Sequence, residues 1–184
     1  MNVRLREFHP ADANIIAGWL KSEHLMRQWC ADRYPRYPVT AEDMKMYYRK
    51  FIDGHSSMAF TMVSDEEVVG YVTLRRPSAD EAEWRLGFVI VDDSRRGLGL
   101  GKMLVGMAVD YACKELGATK ISLGVFENNP SAIRCYEAAG FKQVQRESIE
   151  SYYCLGETWN CIEMELTESH IEHHANRFSC GFRR

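Results

Sequence analysis

The stretch Val89-Ile90-Val91-Asp92-Asp93-Ser94-Arg95-Arg96-Gly97-Leu98-Gly99-Leu100-Gly101-Lys102 constrains the fold more than any other part of the chain. An apolar run passes through a short polar turn and three alternating glycines. It then enters a segment with Leu100, Met103, Leu104, Met107, Ala108, Tyr111 and Ala112 at helical spacing, stopped by Gly117. Glycines let the backbone approach a ligand and turn successive N–H groups toward one point, and a helix N-terminus adds a partial positive charge. The stretch therefore predicts a strand, a phosphate-binding turn and a long helix, with Arg95, Arg96 and Lys102 as fixed positive charge. A turn that uses glycine for geometry alone is the simpler alternative, and two arginines ahead of three alternating glycines argue against it.

Spacing excludes two common phosphate sites. A P-loop needs GxxxxGK followed by Ser or Thr, whereas Arg96 stands five before Gly101 and Met103 follows Lys102. A GxGxxG dinucleotide fingerprint fails because Lys102 follows Gly97-x-Gly99, and Leu104 follows Gly99-x-Gly101, at the required third place.

Around this stretch the chain alternates strand and helix signals and ends in strands. Val3 to Phe8 alternates as a strand, and Ala11 to Lys21 places Ile15, Ile16, Trp19 and Leu20 on one helical face. The Pro-broken aromatic segment from Gln28 to Pro38 reads as a loop. Thr40 with Asp43 resembles a capping box that opens a helix through Ile52. Met58 to Val63 and Val68 to Leu74 form a hairpin about an acidic turn, and Trp84 to Val91 follows as a strand. Lys120 to Phe126 is a further strand, and Asn129-Pro130 caps a short helix ending at Gly140. Phe141 to Ile149 and Thr158 to Leu166 close the fold as strands.

Composition limits the partners. The 184 residues carry 23 Lys+Arg against 26 Asp+Glu, a net charge of −3 that gives no global pull toward nucleic acid or anionic lipid. With 46% hydrophobic residues the chain can bury a proper core. Neither a secretory leader nor a membrane-length apolar run is evident, so a cytoplasmic address is expected. The six cysteines, at 30, 113, 135, 154, 161 and 180, are scattered and suggest neither zinc site nor disulfide framework. Residues 1–168 read as one domain. Residues 169–184 lose periodicity and read as a flexible tail, in which His170, His173 and His174 lack a fixed-spaced ligand partner for a metal.

Two motifs carry a family resemblance. Arg96-Gly97-Leu98-Gly99-Leu100-Gly101 sits at the mouth of a helix, and downstream Asn129, Ala132 and Tyr136 fall in an Asn-x-x-Ala-x-x-x-Tyr pattern followed by Gly140-Phe141. Together they resemble the pyrophosphate loop and second signature of the GNAT superfamily of acetyl-CoA-dependent N-acetyltransferases, over about Val3 to Leu166. The resemblance implies an α/β (α+β) fold, a mixed and mostly antiparallel sheet of six to seven strands flanked by helices, with splayed strands forming the acetyl-CoA cleft. It implies that acetyl-CoA is a co-substrate, that no metal is used, and that a small-molecule or peptide amine accepts the acetyl group by direct attack in a ternary complex. A homodimer is a family-level expectation.

Residue by residue, the resemblance implies that the backbone of Val89, Ile90 and Val91 pairs with the pantetheine arm. The loop of Arg96, Gly97, Leu98, Gly99, Leu100, Gly101 and Lys102 would hold the pyrophosphate, Asn129 would contact the coenzyme, and Tyr136 would protonate the leaving thiolate. Counting back from Arg96 to the usual glutamate base lands on Arg85. Glu83, two residues earlier on the same strand face, is the candidate base, with Glu81 and Glu127 in reserve. The late aromatics Tyr152, Tyr153 and Trp159 join Trp29, Tyr34 and Tyr37 as candidate acceptor contacts. The six acids and no base of residues 147–168 point to a cationic amine or to a solvated strand face. Arg85 in place of a carboxylate leaves one alternative, a catalytically weak acyl-CoA-binding sensor or partner module of the same fold.

Overall fold

The computed structural model describes residues 2–52, 56–77, 82–95 and 97–167. Arg96, Glu81 and the tail with its three histidines lie outside the described residues. The strands are β1 (Val3–Glu7), β2 (Ser57–Ser64), β3 (Glu67–Arg75), β4 (Glu83–Val91), β5 (Lys120–Phe126), β6 (Lys142–Val144), β7 (Ser151–Cys154) and β8 (Glu157–Thr167). The helices are α1 (Ala13–Ala17), α2 (Glu23–Cys30), α3 (Ala41–Phe51), α4 (Leu100–Leu116) and α5 (Pro130–Ala138). The sheet runs β1-β2-β3-β4-β5-β8-β6, with β7 paired to β8. Only β4 and β5 are parallel neighbours.

Both faces of the sheet are covered. Phe60, Met62, Val72 and Leu74 of β2 and β3 pack under α4 with Leu104, Val105 and Ala108. On the other face Ala59 and Tyr71 meet Ile16, Met26 and Met44 of α1, α2 and α3. This explains why β3 is buried at six consecutive positions, where a one-sided strand would alternate. Arg6 clamps Asp12 with two hydrogen bonds of 2.7 and 2.9 Å, and the Thr61 hydroxyl adds one of 3.0 Å, so the turn into α1 is pinned to β1 and β2.

Three local expectations need correction. The loop expected from Gln28 begins later, because α2 continues to Cys30: Met26, Trp29 and Cys30 share an i, i+3, i+4 face against the core, and Ser22 caps its first turn. The single helix expected over residues 11–21 is a 3₁₀ turn, Pro10–Asp12, followed by a short α1 that ends at Gly18. The strand expected over residues 141–149 is only β6, and β7 turns back on β8 through Leu155 and Gly156, both at positive φ. That hairpin brings the sheet to eight strands, above the six to seven expected.

Candidate active site

The site forms where β4 bulges against β3 and parts from β5. On the β3 side the register shifts so that Val72 faces two residues of β4, Phe88 and Val89: Thr73 pairs with Gly87, but Tyr71 pairs with Ile90. Phe88, at the bulge, has φ +50. A positive φ on a bulky residue is strained and persists only where packing over-determines it. Its ring is held by Trp29, Tyr47 and Tyr34, with centroids 5.0, 5.3 and 6.3 Å away.

On the β5 side, pairing stops at Arg85 and Ser122, so Leu86 to Val91 has no strand partner there. The result is a V-shaped gap inside the sheet with an unpaired edge of backbone N–H and C=O groups. Such an edge can accept an extended ligand as an added strand. Val89, Ile90 and Val91 lie on it, half-buried.

The glycine-rich turn closes the same end. Gly97 and Gly99 adopt φ +81 and +72, a left-handed backbone in which a Cβ would meet no atom within 4 Å, so the requirement is conformational. Gly99 caps α4 without a side chain, leaving the first N–H groups of a 17-residue helix for a ligand. Gly101 serves packing: a Cβ there would stand 3.1 Å from Cys135 Sγ on α5. Leu100 is likewise a core residue, Leu98 is exposed, and Lys102 is exposed in the first helical turn. Arg95 is drawn off to Glu67 and Asp92, so it is not a loose phosphate contact.

The second motif lies against the first through α4 and α5. Asn129 accepts the Ala132 N–H at 3.2 Å, the cap of α5, and the preceding Asn128 carbonyl accepts from Gln28 Nε2 at 2.9 Å. Tyr136 is buried beside Phe141, with centroids 6.2 Å apart, and burial pushes its phenol up, which keeps it protonated at neutral pH.

Glu83 lies apart from this end. It pairs with Lys120 at the closed end of the V, with Lys120 Nζ at 3.6 Å and the Ser122 hydroxyl at 3.4 Å. Five residues separate it from Phe88, about 17 Å at roughly 3.4 Å per residue. Between them stands Arg85, clamped by both oxygens of Glu163, with the Nη2–Oε2 contact at 2.9 Å, and within 3.3 Å of the Ser122 hydroxyl. Both members of this pair are half-buried, their side chains 15% and 13% exposed. The guanidinium passes over Gly124, where a Cβ would come within 2.8 Å of it and 2.7 Å of Cys161 Sγ.

Beside the bulge is a cavity of about 170 Å³, lined among others by Trp29, Tyr47, Phe88, Phe126 and Tyr152. It shares Arg75, Arg85, Glu150 and Cys161 with an adjoining groove of about 740 Å³. Of the expected acceptor contacts, Trp29 and Tyr152 line the cavity and Tyr34 backs it. Tyr153 is 78% exposed, and Trp159 is buried against Phe126. Tyr47, Phe88, Phe126, Arg33 and Arg75 were not expected there; no local pattern marks the members of a cavity lined from seven separate elements. The late acids are mostly committed: Glu163 and Glu165 to Arg85, Arg146 and Lys120, Glu150 to the Tyr152 hydroxyl, and Glu157 to the Trp159 indole. Among the described residues no three of His, Cys, Asp and Glu cluster as metal ligands, and no helix is long and apolar enough to cross a membrane.

This geometry has counterparts. Residues 23–141 match the model of the Acetyltransferase (GNAT) family. The chain is 23% identical over 168 residues to the spermidine N(1)-acetyltransferase of Vibrio cholerae, covering 90% of this chain and 92% of that one. It is 28% identical over 152 residues to an aminoglycoside N(6')-acetyltransferase type 1 of Klebsiella pneumoniae, covering 77% and 75%. The crystal structure of the Vibrio cholerae spermidine N-acetyltransferase in complex with CoA and spermine superposes with a TM-score of 0.77 at 21% identity, over 93% of this chain and 98% of that one. With its parallel strands splayed at a bulge and a glycine-capped helix facing the gap, the chain belongs to the GNAT acetyltransferase family.

Proposed function

We propose that this V-shaped gap is where an amine attacks the thioester of bound acetyl-CoA, in a ternary complex formed by residues 1–168 as one unit. The protein is an N-acetyltransferase with acetyl-CoA as its acyl donor. The observation that carries the assignment of the site is the unpaired β4 edge beside the positive-φ bulge at Phe88. The residues fit the coenzyme. Val89, Ile90 and Val91 offer an extended edge to its pantetheine arm, and the turn of Gly97, Leu98 and Gly99 with the α4 N-terminus and Lys102 offers donors and positive charge to its pyrophosphate. Asn129, already engaged as a helix cap, contacts the coenzyme in this reading.

Attack by the amine nitrogen turns the thioester carbonyl into an oxyanion. A backbone N–H at the bulge, fixed in place by the aromatic grip on Phe88, stabilises that charge; one such preorganised donor is worth roughly 3–4 kcal/mol. Collapse breaks the carbon–sulfur bond, and the Tyr136 hydroxyl gives its proton to the departing thiolate. The ion pair with Lys120 and the distance from the bulge argue against Glu83 as the base. Glu150, the one carboxylate lining the small cavity among the described residues, is the better candidate acceptor of the amine proton, with substrate proximity supplying much of the rate. Cys30 and Cys161 also line the cavity, and burial pushes their thiols up to about 12 and about 11, which disfavours an acetyl-cysteine intermediate and supports direct attack.

The alternative of a catalytically weak coenzyme-binding module is not favoured, since the named relatives are acetyltransferases. A cytoplasmic address and at least a homodimer complete the proposal; one structure of the Vibrio cholerae relative is dodecameric. Thiol release from acetyl-CoA over a panel of amines tests the reaction. Tyr136→Phe is expected to lower kcat about 10²- to 10⁴-fold with coenzyme affinity kept; an unchanged kcat removes Tyr136 from the mechanism.

A further inference from the structure

Among the described residues, Arg33, Arg75 and Arg85 line the small cavity against a single carboxylate, that of Glu150. Two of the three guanidiniums are matched: Arg85 by Glu163, and Arg33 by Asp32. Arg75 has no ion-pair partner among the described residues. It stands opposite Arg85 in the β3–β4 ladder and borders both the small cavity and the adjoining groove, its side chain exposed at their junction. Partial desolvation lowers it from the usual guanidinium range, repulsion from Arg85 and Arg33 adds to the shift, and Tyr47 and Glu150 oppose it. Trp29, on the same cavity, keeps a buried indole N–H with no hydrogen-bond partner. The uncommitted charge here is thus that of a donor, Arg75, and a polycation entering the cavity would meet like charge.

Resting on the reading of this cavity as the acceptor site, we propose that Arg75 binds an anionic oxygen group of the acceptor, a carboxylate or phosphate some bonds away from the reacting amine. An arginine fork holds either group with two charge-assisted hydrogen bonds. The position sets the spacing. Arg75 sits level with Arg85, three residues along the strand from Phe88, about 10 Å at ~3.4 Å per residue, and its own side chain spans part of that gap. The cavity is also smaller than the roughly 300–1,000 Å³ of drug-sized ligand sites, which suits a compact amino acid or phosphoamine.

The test is a comparison of kcat/KM for glycine, β-alanine, γ-aminobutyrate, 6-aminohexanoate and phosphoethanolamine with that for n-butylamine and spermidine. At least one anionic amine is expected to exceed n-butylamine tenfold or more. Arg75→Gln is expected to raise KM for that amine about 10- to 100-fold, with kcat within about twofold and a change for n-butylamine at least tenfold smaller. Preference for spermidine or n-butylamine, with Arg75→Gln indifferent, overturns the proposal. If coenzyme binds but no amine of any charge is acetylated, it is the acetyltransfer reading that fails. The subsite is then read by calorimetry with N-acetyl-γ-aminobutyrate and the CoA complex: binding that weakens at least tenfold in Arg75→Gln supports it, and equal or absent binding overturns it.

Discussion

The coenzyme side and the acceptor side of β4 are built by different means. In the proposed assignment the coenzyme side is nearly contiguous in sequence: Val89 to Lys102 supplies strand edge, turn and helix N-terminus, and the groups it offers are backbone N–H donors set by φ angles. The acceptor side gathers residues from α2, α3, β3, β4, β5, β7 and β8, and its working groups are side chains held by tertiary pairs such as Arg85–Glu163. A site made of backbone tolerates drift in most side chains. A site made of paired side chains changes its chemistry when one partner changes, and so it is the side on which members of one fold can diverge in substrate.

The sharpest way to break this comparison is at Glu163. Glu163→Ala leaves the Arg85 guanidinium buried without its carboxylate, which costs about 3–5 kcal/mol, or a fall in Tm of roughly 6–20 °C for a chain of this size. Below the transition, KM for the amine is expected to rise while the coenzyme dissociation constant stays within about twofold. Equal loss on both sides would mean that the two sites are not separable across β4.

The same contrast explains what the sequence disclosed. The glycine turn, the Asn129-Pro130 cap, the β2–β3 hairpin and the stop at Gly117 are local signals, each carried by a residue whose backbone preference decides the outcome, and the structure has them where the spacing predicts. The acceptor cavity is not local. Nothing beside Arg85 in sequence tells that Glu163, far along the chain, neutralises it, nor that Gly124 is small because that guanidinium crosses it. The late acids suit a cationic amine or a solvated strand face, and sequence alone does not tell that Glu163 and Glu165 are partnered by Arg85, Arg146 and Lys120. The strained φ of Phe88 has no sequence signature at all; it depends on Trp29 and Tyr47 arriving from two helices and on Tyr34 from the segment that joins them.

A smaller effect of opposite placement is expected at Gly99. Gly99→Ala meets no steric obstacle, so its whole cost is that of a left-handed alanine, about 1–2 kcal/mol. If the turn rearranges to relieve it, coenzyme affinity falls by about 5- to 30-fold at that energy, and the amine KM holds. Coenzyme affinity unchanged by Gly99→Ala, measured by calorimetry, would mean that the left-handed turn is not what presents the α4 N–H groups.

The smallest effect separates geometry from charge on the coenzyme side itself. Lys102 is exposed in the first turn of α4, whereas Arg95 is tied to Glu67 and Asp92. If backbone donors dominate the cradle, Lys102→Ala should weaken coenzyme binding only about two- to fivefold at low salt, the scale of a single surface charge at a helix end. That difference should vanish near 1 M salt, where the Debye length is about 3 Å. Arg95→Ala should shift the dissociation constant less than Lys102→Ala, because its charge is already compensated. A loss of more than about a hundredfold on Lys102→Ala that survived high salt would relocate the site's affinity from the glycine turn to a side chain, and the two sides of β4 would then be built alike.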